Sequence, residues 1–146
     1  MFSKKLTCIY LALLVSCFHA SANDLIFKCD VKNHKQINLY TKSGDVIYSF
    51  GKAGEKPELE LSRKKQQIVT NFEASSGRYA TNSIIIKNGN YGYRLTTSID
   101  RIAEVQEPST SLTVMKNDKD LTTFQCIKGS EVGALIAIDD PVHDSV

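Results

Sequence analysis

From Leu25 to Ile127 the chain is cut into short segments by turn signals, and within most segments apolar and polar residues alternate. A two-residue period places successive side chains on opposite faces of an extended strand, which is the mark of a half-buried β-strand. Such segments are read at 25–29, 36–40, 46–50, 58–62, 68–72, 83–87, 91–98, 111–115 and 121–127. Between them lie Ser43-Gly44-Asp45, the breaker-rich 51–57 (GKAGEKP), the charged 63–67 (RKKQQ), Glu107-Pro108-Ser109-Thr110 and 116–119 (KNDK). The spacing is roughly ten residues, and no amphipathic helix of useful length interrupts it. The pattern predicts an all-β domain, a small antiparallel β-barrel or sandwich of eight or nine strands.

The clearest local signal is 74–95 (ASSGRYATNSIIIKNGNYGYRL). A β-branched run, Ile84-Ile85-Ile86, and an aromatic run, Tyr91-Gly92-Tyr93, flank Asn88-Gly89. An Asn-Gly pair between two such runs is the strongest short-range hairpin signal. The small-residue loop Ser75-Ser76-Gly77, followed by Arg78-Tyr79, gives this hairpin an exposed loop at its other end.

The first residues are short and basic, Leu6 to Val15 is an apolar run, and Ala20-Ser21-Ala22 is a small-x-small site. That is the layout of a secretory signal peptide over 1–22, with an apolar run too short for a comfortable membrane span. A competing reading is that Leu14-Val15-Ser16-Cys17 is a lipobox, with Cys17 lipidated and the chain anchored in a membrane. Either way the expected location is periplasmic or secreted. The remaining 124 residues make one domain, placed at 23–128, with a C-terminal extension over 129–146.

Cys8 and Cys17 fall in the leader, leaving Cys29 and Cys126 near the two ends of the mature chain. In an exported protein such a pair predicts a disulfide tying the first and last strands. A catalytic or metal-binding thiol would want a CxxC or a neighbouring His, and neither is present. Without Lys4 and Lys5, sixteen basic residues face sixteen acidic ones. A near-neutral chain argues against a nucleic-acid partner. The last sixteen residues hold Glu131, Asp139, Asp140 and Asp144 with no Lys or Arg.

No nucleophile elbow, P-loop or zinc-binding motif occurs, so neither an enzyme nor a metal or cofactor is expected. His34, in a polar turn, and His143, in the tail, read as solvated surface residues. Glu58 and Glu60 share a strand face, which is better explained as the solvent side than as an acid–base pair. Gly51 and Gly54 allow an unusual backbone path, and Pro57 stiffens its exit, so 51–57 is either an ordinary connection or a binding loop. Around 74–95 the chemistry is more pointed. A Ser/Gly loop can enter a narrow cleft, Arg78 and Lys87 can meet carboxylates there, and tyrosines are favoured at interfaces.

Phe27-Lys28-Cys29, Ser75-Ser76-Gly77-Arg78-Tyr79, Lys87-Asn88-Gly89 and Phe124-Gln125-Cys126 together resemble the periplasmic and membrane-bound inhibitors of C-type lysozyme. That family begins on an aromatic-x-Cys strand, ends on a Cys-bearing strand and carries a Ser-Gly-x-x-Tyr loop before a Lys/Gly turn. Here the loop is one residue shorter, and the residues between Gly51 and Gln67 and the tail after Cys126 are extra. The resemblance implies a small exported β-barrel that blocks a cell-wall hydrolase by inserting loops into its cleft. Ser75 or Ser76 and Lys87 would then engage the catalytic carboxylates, with Gly77, Arg78 and Tyr79 completing the partner-binding set. An immunity protein against a toxin is a close variant. Tyr48-x-Phe50-Gly51 with Pro57-Glu58-Leu59 is also similar to other small exported bacterial proteins, and a structural or small-ligand-binding envelope barrel is the alternative from a different class.

Overall fold

A computed structural model describes residues 23–139. The expected leader, its lipobox Cys17 and the tail residues Asp140, His143 and Asp144 lie outside the described residues. The chain forms β1 (Asp24–Val31), β2 (Lys35–Lys42), β3 (Asp45–Lys52), β4 (Leu59–Arg63), β5 (Val69–Ser76), β6 (Tyr79–Asn88), β7 (Tyr91–Asp100), β8 (Pro108–Lys116), β9 (Lys119–Gln125) and the two-residue β10 (Val132–Gly133). Short 3-10 turns cover Lys65–Gln67 and Leu135–Asp139. All pairing is antiparallel, in two five-stranded sheets ordered β10-β1-β2-β3-β4 and β5-β6-β7-β8-β9. The sheets keep separate edges, so of the two predicted forms the fold is the sandwich, not a closed barrel.

Alternation selects the core. Ile37 and Leu39 on β2, Ile84 and Ile86 on β6, and Leu95 and Leu112 on β7 and β8 are all buried. Tyr48 stacks on Tyr93 with ring centroids 5.3 Å apart, and Phe50 meets Phe124 at 5.2 Å, so aromatic pairs bridge the sheets. Phe27 lines a cavity with Asn82, Thr97 and Thr110 of β6, β7 and β8, whereas Val31 lines one with Thr123 and Phe124 of β9. β1 therefore runs across the strands of the facing sheet.

Two corners join the sheets. At one, Lys64 to Ile68 makes a 3-10 turn in which the Gln67 and Ile68 amides donate to the carbonyls of Lys64 and Lys65. At the other, the Cys126 amide donates to Thr110 on β8, and the Ile127 amide to Asp30 on β1. The Cys29–Cys126 disulfide is present here, with a Cα–Cα distance of 5.7 Å, joining β1 to the residue after β9.

The chain beyond 128 is not an appendage over its described part. The Ser130 hydroxyl accepts from the Asp30 amide at 3.0 Å, β10 pairs with β1, and Leu135 and Ile138 are buried in the common core. The apolar stretch 133–138 (GALIAI) thus docks on the domain through Leu135 and Ile138, between β1 and β6, while Ile136 stays exposed.

Candidate functional site

β6 organises the predicted site. Its N-terminal end follows a two-residue turn, Gly77-Arg78, closed by the Ser76–Tyr79 pair; its C-terminal end leads into Gly89-Asn90, closed by Asn88–Tyr91. In both turns a glycine with positive φ, +54° at Gly77 and +61° at Gly89, takes the first central position that a type II′ hairpin turn reserves for it. Asn88, read from sequence as part of the turn centre, is instead the last residue of β6.

This geometry separates the predicted partner-binding residues. Ser75 and Ser76 are the exposed last residues of β5, and Gly77, Arg78 and Tyr79 are the tip and first residue of β6, so these five lie together. Lys87 lies eight residues along the same strand from Tyr79, about 27 Å away at the usual rise. Its ammonium is 3.6 Å from Asp118 in the β8–β9 turn, and its carbonyl accepts from Arg63 Nε at 3.1 Å. The serines and Lys87 thus stand at opposite ends of the sheet, because the hairpin arm between them is fully extended. A single narrow cleft cannot take both.

What the fold brings to the Arg78 end instead is the β7–β8 loop. Tyr79 pairs directly with Asp100, the last residue of β7. Arg78 donates to Asp100 Oδ2 through Nε at 2.7 Å and also through Nη2. These hydrogen bonds hold the Asp100 carboxyl below the usual carboxylate range and raise the Arg78 guanidinium above its own. The Arg101 amide donates to the Arg78 carbonyl at 2.9 Å, and its guanidinium reaches the Gly77 carbonyl. Gln106 closes the loop by donating to the Arg101 carbonyl at 2.7 Å.

The loop so fixed presents apolar side chains to solvent. Ile102 is 72% and Val105 70% exposed, and Tyr79, paired with Asp100 at the start of the loop, is 47% exposed, with Arg78 5.9 Å from the centre of its ring. Ile102 and Val105 were not singled out from sequence. The available signal was two isolated branched aliphatics in a loop otherwise built of Arg, Ala, Glu and Gln.

The remaining candidates fall into ordinary surface roles. Lys35 Nζ is 3.0 Å from Glu58, and Glu60 accepts from the Tyr40 hydroxyl at 3.4 Å, so the two carboxylates serve different neighbours. His34 is exposed in the β1–β2 turn, where its carbonyl accepts from the Ala53 amide at 3.1 Å. Among the described residues no group of three His, Cys, Asp or Glu side chains is placed to hold a metal ion. Compared with protein-family models, curated proteins and solved structures, the chain matches none.

Proposed function

We propose that this chain is a non-enzymatic, exported protein-binding domain that engages a cell-wall hydrolase of the lysozyme type through the Arg78 end of the sandwich. The observation that carries the reading is an Arg78 already oriented by Asp100, with exposed Tyr79 next to it and exposed Ile102 and Val105 in the loop that follows Asp100. An exposed tyrosine beside an arginine is a pairing enriched at interface centres. The backbones at Tyr79 and Ile102 are held by strand pairing with Asp100 and by the Asp100 carboxylate, so little ordering of these two is left to the moment of binding. The disulfide suits an oxidising compartment. Ser75 and Ser76 flank this surface, and Lys87 takes no part in it.

The test mixes the purified protein with a C-type lysozyme and follows lysis of a cell-wall substrate. Lysis is expected to be blocked at about micromolar protein. The double variant Arg78→Ala, Tyr79→Ala is expected to lose the block, while Lys87→Ala retains it. Unchanged lysis with the native chain sinks the hydrolase reading. Full potency of the double variant sinks this surface.

A further inference from the structure

A second site lies where β10 and the C-terminal 3-10 turn close the sandwich. A cavity of 230 Å³ separates β1 and this closing segment from β6, β7 and β8. Ile99 of β7 is apolar, and Phe27, Leu135 and Ile136 supply an apolar wall across from it. Facing them is a cross-strand polar row, Asn82–Thr97–Thr110, whose members are direct neighbours in register. The Thr97 and Thr110 hydroxyls are 2.8 Å apart and share one hydrogen bond.

Glu131 completes the lining and is its one charged residue. The Thr110 amide donates to Glu131 Oε1 at 2.8 Å, which pins the carboxylate against β8. The nearby cation Lys128 is committed to Glu107, and among the described residues no ion pair includes Glu131. The site therefore offers one fixed negative charge beside a hydrocarbon-lined space. A cavity of about 150 Å³ is enough to hold benzene, so this one has room for a single substituted ring.

The geometry points to a binding site for a small organic monocation, a primary amine carrying a compact apolar body. Its ammonium meets Glu131, and its hydrocarbon part lies against Ile99 and Ile136, the lining aliphatics that keep accessible surface. Charge complementarity selects the amine over a neutral or anionic isostere, because an anion brought beside Glu131 is repelled and a neutral group gains no charge-assisted hydrogen bond. The position is set by the backbone: Gly133 lies so close to β1 that an added Cβ would be 2.1 Å from the Ile26 carbonyl oxygen, which locks the closing segment onto the sheet.

Benzylamine is the probe, titrated into the full protein while backbone amide NMR signals are followed, with benzyl alcohol, benzoate and methylamine as comparisons. Expected is a saturable shift at the Thr110 amide with a dissociation constant of about 1 mM or tighter, roughly tenfold weaker for benzyl alcohol and methylamine. Benzoate should give no shift. Glu131→Gln keeps an acceptor for the Thr110 amide and is expected to weaken benzylamine by about tenfold. Absence of saturable binding, equal binding of benzyl alcohol, or shifts centred elsewhere overturns the site. So does undiminished affinity in a folded Glu131→Gln variant; should that variant not fold, the isostere comparison on the native chain decides alone.

Discussion

Arg78 at the β5–β6 turn grips a single oxygen of Asp100 through two of its nitrogens, and the other Asp100 oxygen accepts from the Ile102 amide at 3.2 Å. One carboxylate thus orients both the arginine and the loop that carries Ile102. A second carboxylate of this kind is Asp45, which is held low first by Lys64 and then by the Ser62 hydroxyl, whose oxygen lies 2.9 Å away.

Both carboxyls have folded-state pKa values below their unfolded ones, so both stabilise the fold above the unfolded value and lose that contribution as pH falls through the folded one. Expected, then, is a melting temperature that declines below about pH 4. In the double variant Asp45→Asn, Asp100→Asn it should be lower at neutral pH and decline less on acidification. The two melting curves should converge in strong acid. A native decline no steeper than that of the double variant would contradict the assignment.

Close backbone approach makes two glycines irreplaceable for different reasons. A Cβ at Gly51 would lie 2.8 Å from the Glu58 amide nitrogen and 3.1 Å from the Pro57 Cα. A Cβ at Gly133 would meet the Ile26 carbonyl, and its φ of +79° is also unfavourable to any side chain. Gly44 shares that φ but faces open space. Alanine is therefore expected to cost most at Gly133, about 2–4 kcal/mol, less at Gly51, about 1–3 kcal/mol, and least at Gly44, about 1–2 kcal/mol. Chemical denaturation of the three variants checks the order.

All nine predicted strands have a counterpart, because alternation such as Ile37-Asn38-Leu39 is imposed by a single buried face. Their lengths were less legible. β6 begins at Tyr79, not near Ser83, since Ala80, Thr81 and Asn82 are small or polar residues that ladder hydrogen bonds keep extended without help from a hydrophobic signal. That extension is what carries Lys87 away from Ser75 and Ser76. Ile102 and Val105 gave no periodic pattern. Glu131 looked like part of an acidic tail because its partner, the Thr110 amide, is a tertiary contact across the sheet corner.

The Cys29–Cys126 bridge spans 97 residues, so it restricts nearly the whole unfolded domain. The chain-entropy relation gives about 4–5 kcal/mol for a loop of this size. Cys29 is fully buried and Cys126 nearly so. Reduction is therefore expected to be slow in the native state and rapid once denaturant opens the fold. The reduced protein should unfold at markedly lower denaturant. Equal midpoints for oxidised and reduced protein would remove the bridge from any role in stability.

Tyr48 sits at the centre of the core, 1% exposed and stacked on Tyr93, and its hydroxyl is the one buried side-chain polar atom among the described residues without a hydrogen-bond partner. Burial, with Tyr93 adding a smaller part, pushes its phenol well above the ordinary tyrosine range. The ring contributes packing, whereas the hydroxyl contributes a desolvation cost that nothing offsets. Tyr48→Phe keeps the ring and removes that cost. It is expected to stabilise the fold by about 1 kcal/mol, which for a domain of this size raises the melting temperature by about 4 °C. Thermal melts of the two proteins decide the matter. A lower melting temperature in the phenylalanine variant would mean that the hydroxyl is satisfied in solution, and that the core around Tyr48 and Tyr93 is wetter than its packing implies.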